Sequence, residues 1–238
     1  MNNKNVFAVI PARGGSKGIP QKNMYPVCGL PLICHTIRSA KNSKLITHLI
    51  VSTDDLKISA VAKEYGVDVP FIRPEHLATD QALAVDVMRH AIEVEEKRLH
   101  LRFDYIVMLQ PTSPLKTGED IDDAIAKLIQ TNCDTVVTMV DVGANHPARM
   151  YRIKDDRLVS IMEEGIAMRP RQELPPIYIR NGAVYAFRRN VIDDYGALIG
   201  KDVRPLVMTP ERSVNIDDYS DLLIAEYFIS KEKCLSQT

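Results

Sequence analysis

The sequence has no tryptophan, and aromatic residues make up only 6% of its 238 positions. It also lacks any run of about 18 uninterrupted apolar residues, the length that a transmembrane helix needs. The first residues, Met1-Asn2-Asn3-Lys4-Asn5, lead directly into a short apolar segment without the small-residue cleavage site of a secretory signal. We therefore expect a cytoplasmic protein that does not bind membranes.

Cysteine is scarce, and neither sign of charge is in excess. Cys28, Cys34, Cys133 and Cys234 form no Cys-x-x-Cys pair and have no histidine at zinc-ligand spacing, which argues against a disulfide framework or a structural zinc site. Lys and Arg total 30 against 31 Asp and Glu, a net charge of -1. Such a chain lacks the long-range positive field that non-specific nucleic-acid binding requires. We expect a small partner and no nucleic acid.

Short apolar runs alternate with stretches of helical periodicity. Val6–Pro11 and Tyr105–Leu109 suit strands buried on both faces, whereas Leu32, Ile33 and Ile37 recur at helical spacing. The repeated order of strand, helix and strand indicates parallel crossovers. The length fits one large domain. The sequence thus predicts a single α/β domain over residues 1–238, with a doubly wound, mostly parallel sheet.

The sequence also predicts a helix cap, a short strand and an inserted segment. Ser52, Thr53 and Asp54 supply cap-type side chains before a second helix, and residues 67–69 are typical of a short strand after it. From Asp141 the pattern breaks into short pieces and a Pro- and Arg-rich stretch. We interpret residues 141–180, approximately, as an inserted arm, after which a strand pattern resumes at residues 183–187.

Three polar segments are expected to lie at one edge of this sheet. They are residues 13–18 (Arg-Gly-Gly-Ser-Lys-Gly), 110–114 (Gln-Pro-Thr-Ser-Pro) and 215–218 (Asn-Ile-Asp-Asp). Ligands of open α/β sheets bind beyond the carboxyl ends of the strands, where such loops meet. Arg13, Lys17 and Lys22 supply three cations on a turn-rich segment, as a polyphosphate needs. The alternative is a glycine turn whose basic side chains face solvent.

Two familiar phosphate-binding motifs are absent: neither the Walker spacing nor the dinucleotide fingerprint Gly-x-Gly-x-x-Gly occurs here. Instead, residues 8–23, Ala-Val-Ile-Pro-Ala-Arg-Gly-Gly-Ser-Lys-Gly-Ile-Pro-Gln-Lys-Asn, closely resemble the opening of the nonulosonic (sialic-type) acid cytidylyltransferases. Further blocks follow in family order, at residues 51–54, 73–74, 77–80, 109–115, 170–172, 181–183 and 216–217. The resemblance extends over nearly the whole chain.

This resemblance implies a Rossmann-like nucleotidyltransferase fold with a small dimerisation arm. It also implies a Mg²⁺-dependent homodimer that transfers CMP from CTP to the anomeric hydroxyl of a nine-carbon α-keto acid sugar and releases pyrophosphate. The implied catalytic residues are Arg13, Lys22 and Asp217. The implied nucleotide site comprises Arg13, Gly14, Gly15, Ser16, Lys17, Lys22, Asn23, Arg73, Ala82 and Ala84, with the two alanines beneath the base.

Asp217 is the implied direct ligand of Mg²⁺, with Asn215 beside it. The family commonly carries aspartate where Asn215 stands, so the predicted metal site has one carboxylate fewer. Hard divalent cations of this kind are usually held by one or two carboxylates together with phosphate oxygens. The alternative role of Asp217 is that of a helix N-cap, a position that aspartate favours.

The resemblance places the acidic sugar against Gln110, Arg171 and Asn181, with Arg149 reaching in from the partner chain. The alternative for Arg149 is a solvated surface residue. The family often has an arginine two residues before the asparagine of its Asn-Gly pair, whereas this chain has Ile179 there and Arg180 next to Asn181. A one-residue shift within a strand turns a side chain to the opposite face.

Two rival functions remain open at the level of sequence. A glycosyltransferase that uses a nucleotide sugar also carries short acidic motifs after its strands, but it needs less positive charge than the loop at residues 13–17 offers. A non-catalytic nucleotide-binding relative would fit the departures at Asn215 and Arg180. The identity of the sugar, among sialic, legionaminic, pseudaminic and deaminated acids, also stays open.

Overall fold

The computed structural model describes residues 4–162 and 170–235, without the side chains of Arg171 and of residues 232–235. Its α-helices are α1 (Leu32–Asn42), α2 (Leu56–Glu64), α3 (Ala84–Leu99), α4 (Gly118–Thr131), α5 (Asn190–Tyr195) and α6 (Tyr219–Leu235). Its strands are β1 (Val6–Pro11), β2 (Pro26–Val27), β3 (Leu30–Pro31), β4 (His48–Ser52), β5 (Tyr105–Leu109), β6 (Thr135–Asp141), β7 (Tyr151–Lys154), β8 (Arg157–Ser160), β9 (Tyr178–Arg188) and β10 (Val203–Val207).

Six strands form the central sheet, in the order β10-β6-β9-β5-β1-β4. β1 pairs in parallel with β4 and β5, and β10 pairs in parallel with β6, whereas β9 runs antiparallel to both of its neighbours. The predicted α/β fold with a mostly parallel sheet is confirmed. Because β9 is reversed, its start lies at the edge of the sheet where β5 ends.

Alternate residues of β1 face two apolar layers, which explains why helices cover both sides of the sheet. Ala8 and Ile10 belong to the layer that includes residues of α1, α2 and α4. Phe7 and Val9 belong to the other layer, which includes residues of α3 and α5, and the Phe7 ring stacks on Phe103 with centroids 4.3 Å apart. Burial of each such large side chain contributes about 1.5–3 kcal/mol, so these layers hold the helices in place.

A third apolar cluster brings the three predicted polar segments together. Ile19 follows the first segment, Leu115 follows the second, and Ile216 lies within the third; all three are buried in this cluster with Leu222 of α6. Each polar segment therefore carries its own apolar anchor. Removing these anchors from water holds the polar side chains beside them at one edge of the sheet.

Two local predictions need correction. Residues 67–69 are not a strand of the sheet; Asp68 makes only an isolated bridge to Ile50. The N-cap of α2 is Asp55, whose Oδ1 accepts hydrogen bonds from the backbone N–H groups of Lys57 and Ile58 at 2.7 and 3.1 Å. The predicted cap lay one to three residues too early because Ser, Thr and Asp all favour this position, and composition does not select among them.

The predicted arm contains an exposed hairpin, β7–β8. Its range of 141–180 overlaps the sheet at both ends, since β6 extends to Asp141 and β9 begins at Tyr178. The segment outside the central sheet is therefore 142–177, of which residues 163–169 lie outside the described residues. Among the helices that the structure describes, none is long and apolar enough to cross a membrane.

Candidate active site

A cleft of about 300 Å³ opens beyond the carboxyl ends of β1 and β5. It is lined by Pro11, Arg13, Gly15, Ser16, Lys22, Asn23, Arg73, Gln110, Pro111, Thr112 and Asp217. Eight of the predicted site residues thus meet here, although up to 204 positions separate them along the chain. Gly14, Lys17, Ala82 and Ala84 are not part of this lining; Ala82 lines a separate cavity, beside His90 on α3.

Lys22 connects the first polar segment to the third. Its ammonium is buried and donates hydrogen bonds to the backbone carbonyls of Ile216 (2.7 Å) and Asp217 (3.2 Å). The same Nζ lies 3.7 Å from Oδ1 of Asp217. Gly18 approaches this segment so closely that an added Cβ would lie 2.5 Å from the carbonyl oxygen of Asp217. A glycine is therefore required at position 18 for the two segments to meet.

Other contacts fix the remaining walls of the cleft. The N–H of Ile216 donates to the carbonyl of Thr112 at 2.7 Å, which joins the second and third segments. The amide of Asn23 donates to the carbonyl of Arg13 at 2.9 Å, which closes the glycine loop on itself. Gly14 instead lies against Asp55, whose Oδ2 would be 2.7 Å from an added Cβ.

Arg73 is a buried cation on the wall of the cleft. Its Nε donates to the hydroxyl of Ser52 at 3.1 Å, and its Nη2 donates to the carbonyl of the same residue. Burial lowers the pKa of Arg73 to about 10, against the attraction of Asp54, and the charge of Arg13 lowers it further. Arg73 stays charged at neutral pH, so two arginines repel each other across the cleft. An anionic ligand between them would relieve that repulsion.

The acidic side of the cleft is Asp217, whose side chain is 78% exposed. Nδ2 of Asn215 donates to Oδ2 of Asp217 at 2.8 Å, and Oδ1 of Asn215 faces the Ser113 hydroxyl at 3.5 Å. The amide of Asn215 therefore orients the carboxylate. Among the described residues, no group of three or more His, Cys, Asp or Glu could hold a metal ion by itself. One open carboxylate beside a cationic cleft fits Mg²⁺, which usually shares its coordination with substrate phosphates.

A second cavity, of about 360 Å³, adjoins the first. It is lined by Gln110, Ile179, Arg180, Asn181, Gly182, Tyr185 and Asn215. Gln110 lines both cavities, so a ligand in one is next to a ligand in the other. The reversal of β9 produces this arrangement, because Val184 pairs with Leu109 and the preceding residues of β9 therefore lie beside Gln110.

Three consecutive residues at the start of β9, 179–181, line the second cavity. The sequence left Arg180 an uncertain sugar ligand, and the structure brings it to this cavity beside Ile179 and Asn181. The β6–β9 register shifts between Val137 and Met139, and Gly182 has a φ of +76°. A bulge and a left-handed residue both break the two-residue period of a strand. A Cβ on Gly182 would also lie 2.7 Å from Oε1 of Gln110.

The predicted sugar-side residues have different environments. The amide of Asn181 is buried; its Oδ1 accepts from the N–H of Ala183 at 3.1 Å, and its Nδ2 donates to the hydroxyl of Ser213 at 2.9 Å. Arg149 is exposed, on a short 3-10 turn in the arm. The side chain of Arg171 lies outside the described residues.

Lys116 is a buried lysine that binds the backbone of the second polar segment, residues 110–114. This lysine follows the second polar segment and is 2% exposed. Its Nζ donates to the carbonyls of Gln110 and Ser113, both at 2.7 Å, and to the hydroxyl of Thr36 at 3.0 Å. Burial lowers the pKa of Lys116 to about 7, and the nearby Asp120 carboxylate only partly opposes this.

Replacing Lys116 with methionine is expected to change how stability depends on pH. In the parent protein the free energy of unfolding should rise with pH from about 7 towards 10.5, because the unfolded chain keeps a proton that the folded chain releases. The variant lacks this rise. The difference in the free energy of unfolding between the parent protein and the variant should therefore grow by about 1 kcal/mol per pH unit. Urea unfolding at pH 7, 8 and 9 measures it, and parallel slopes would contradict the assignment.

Sequence reasoning missed three residues that shape the site. Asp80 was part of a family block without a role, yet it pairs with Arg13 at 2.7 Å and with Lys17 at 2.9 Å. Tyr185 lines the second cavity. Ser52 holds Arg73. Ser52 could have been proposed from the sequence, because it ends a buried strand and ligands of such sheets bind beyond the strand ends. No local pattern marked Asp80, because its partners lie more than 60 residues away.

Comparisons with known proteins identify the family of the chain. The model of a family described as cytidylyltransferase matches residues 7–233. The chain is 33% identical over 230 residues to the post-translational flagellin modification protein B of Campylobacter coli, covering 97% of both chains. It is 32% identical over 225 residues to the CMP-N,N'-diacetyllegionaminic acid synthase of Campylobacter jejuni, covering 94% of this chain and 95% of the relative.

Among solved structures, the CMP:2-keto-3-deoxy-manno-octonic acid synthetase complexed with CTP has a TM-score of 0.70 and 18% identity, over 96% of this chain and all of that chain. This structural similarity supports the assignment of the fold and nothing further. The family match and the sequence relatives carry the assignment further. They confirm the resemblance to the nonulosonic acid cytidylyltransferases, and the chain belongs to the cytidylyltransferase family.

Proposed function

We propose that the protein transfers CMP from CTP to the anomeric hydroxyl of a nine-carbon α-keto acid sugar and releases pyrophosphate. The observation that carries the proposal is the pair of adjoining cavities that share Gln110. One cavity combines Arg13, Lys22 and Arg73 with the carboxylate of Asp217, and the other has no acidic residue in its lining. Membership of the cytidylyltransferase family and the named relatives support the same reaction.

On the nucleotide side, Arg13 and Lys22 bind the triphosphate, and Lys17 adds a cation at the rim. Arg73 and Asn23 line the nucleoside part, with Gly15 and Ser16 allowing the backbone to approach the phosphates. Gly14, Ala82 and Ala84 form outer parts of this site. Charge builds on the leaving pyrophosphate as the bond to the α-phosphorus breaks. Fixed cations at this point stabilise that charge without reorganising.

Asp217 is the residue that would hold Mg²⁺, and Asn215 orients its carboxylate through the 2.8 Å hydrogen bond. When bound, the cation supplies positive charge to phosphate oxygens and lowers the pKa of a coordinated water. The other contributions to the reaction come from residues of the chain. Lys22 holds the backbone of Ile216 and Asp217 in position, and the two cavities hold the sugar hydroxyl and the α-phosphorus next to each other. Such orientation accounts for about 7–11 kcal/mol of barrier reduction in favourable cases.

On the sugar side, Gln110 and Arg180 are the groups that meet the acid sugar, together with Arg171. A carboxylate calls for a guanidinium, which donates two parallel hydrogen bonds. The buried amide of Asn181 contributes mainly by holding the start of β9 in place. The polar groups of this cavity decide which sugar is accepted, because a site built to hydrogen-bond one substituent strongly rejects its absence.

We also propose that the protein is a homodimer formed through the arm. The hairpin exposes large apolar side chains, with Ile153 78% and Leu158 68% exposed. Contiguous exposed apolar surface of this kind is typical of an interface. In such a dimer Arg149 would complete the partner's sugar cavity. The cytoplasmic location belongs to the same proposal, since the reaction consumes CTP.

One assay tests the proposed reaction. The full chain is incubated with CTP, Mg²⁺ and, in separate reactions, sialic, legionaminic, pseudaminic and deaminated nine-carbon acids, and pyrophosphate release is followed. We expect release with at least one of these acids and a much weaker response to the eight-carbon acid Kdo. Tight CTP binding without release on any acid would contradict the proposal and favour a non-catalytic relative. Release of a nucleoside diphosphate from a CDP- or UDP-sugar would favour a glycosyltransferase.

A further inference from the structure

Asp80 occupies the anion position between two cations of the glycine loop. One carboxylate oxygen lies 2.7 Å from Nη2 of Arg13, and the other lies 2.9 Å from Nζ of Lys17. These are two of the cations that the proposed function assigns to the triphosphate, and this inference rests on that function. Asp80 belongs to a turn between a 3-10 helix, residues 75–77, and the start of α3.

Within the described part of the chain, the contacts with Arg13 and Lys17 are the only ones that hold the carboxylate of Asp80. The side chain is 39% exposed and that of Lys17 is 80% exposed. Ion pairs between groups open to water are weak, because solvent and salt screen them. The hydrogen bond from Lys17, followed by that from Arg13, holds the pKa of Asp80 below its usual range, so the group is an anion at neutral pH.

We propose that Asp80 is an internal counter-anion that stands in for phosphate while the cleft has no nucleotide. A triphosphate carries more negative charge than one carboxylate and displaces it from Arg13 and Lys17. While phosphate is bound, Asp80 is a like charge at its side, which weakens binding. When pyrophosphate is formed, Asp80 returns to the two cations and favours release. Asp80 is thus a positioning residue that tunes affinity for phosphate rather than a group that touches the reacting atoms.

This inference predicts that removing the charge of Asp80 strengthens the binding of phosphate ligands, whereas loss of a site residue usually weakens binding. Replacing Asp80 with asparagine keeps the shape and removes the charge. We expect the dissociation constants for CTP and for inorganic pyrophosphate to fall about three- to tenfold at low salt, the effect of one charge a few ångström away in a solvated site. The gain should shrink as ionic strength rises. Calorimetric titration of each ligand measures both, and Asp80→Ser should shift in the same direction.

Asp202→Asn is the matched control. Asp202 lies just before β10, pairs with Arg204 at 2.9 Å, is 48% exposed, and lines neither the cleft nor the second cavity. This variant loses the same charge, so an unchanged affinity there separates a local effect from a change in net charge. Cytidine provides the second control: it has no phosphate, so its binding should be the same in Asp80→Asn and in the parent protein.

Three outcomes overturn the inference. CTP and pyrophosphate binding that is unchanged or weaker in Asp80→Asn would show that Asp80 orders the cations for phosphate instead of competing with it. An equal gain for cytidine would point to a general change of the cleft. Failure of the parent protein to bind CTP at all would overturn the proposed function itself, which is distinguishable because it precedes any comparison of variants.

Discussion

Asp217→Asn is expected to lower kcat/KM for CTP about 10²- to 10³-fold, the usual effect of removing one group that stabilises transition-state charge. Asp217 is the only acidic residue in the described lining of the cleft. Asparagine keeps the size of the side chain but removes the charge that a hard cation requires. Pyrophosphate release at several Mg²⁺ concentrations measures the effect, and we expect part of the loss to be recovered at high Mg²⁺.

Asp218→Asn is the matched control for this prediction. Asp218 accepts hydrogen bonds from the N–H groups of Ser220 and Asp221 at 2.8 and 3.1 Å, which is the contact pattern of an N-cap for α6. Sequence alone left the capping role open for Asp217, and the structure assigns these contacts to its neighbour. The control should lose little activity. Undiminished turnover in Asp217→Asn would remove Asp217 from the metal site.

The second large effect is expected at Lys22. Lys22→Met should lower kcat/KM about 10³-fold, because it removes a fixed cation from the phosphate side of the cleft. It should also lower the free energy of unfolding by about 1–3 kcal/mol, since the carbonyls of Ile216 and Asp217 lose their buried donor. Steady-state kinetics and urea unfolding measure the two effects separately.

Lys17→Met distinguishes a buried cation from an exposed one in the same loop. Lys17 is 80% exposed and contacts Asp80 rather than the backbone of the third segment. We expect a smaller loss of activity and no measurable loss of stability. If Lys17→Met lost as much activity as Lys22→Met while keeping full stability, the main phosphate contact would belong to Lys17 and not to Lys22.

Much of the fold was readable along the chain. Apolar runs such as those of β1 and β5 identify strands buried on both faces, and the alternation with helical periodicity identifies the class of sheet. The residues of the glycine loop and of segment 215–218 could be proposed as neighbours because ligands of such sheets bind at one edge. The predicted cap of α2 was less accurate, because several adjacent side chains satisfy the same rule, and the strand predicted at residues 67–69 is only an isolated bridge at Asp68.

The sequence by itself determined the α/β class, the family and the residue types of the cleft, because these depend on local periodicity and on motifs of a few residues. Only the tertiary structure decided that Asp80 neutralises Arg13, that Lys22 is buried against carbonyls about 195 positions away, and that Arg180 lines the second cavity. Contacts of this kind arise where distant segments pack, at a reversed strand or at a bulge. Their energies depend on burial and distance, which periodicity along a chain does not encode.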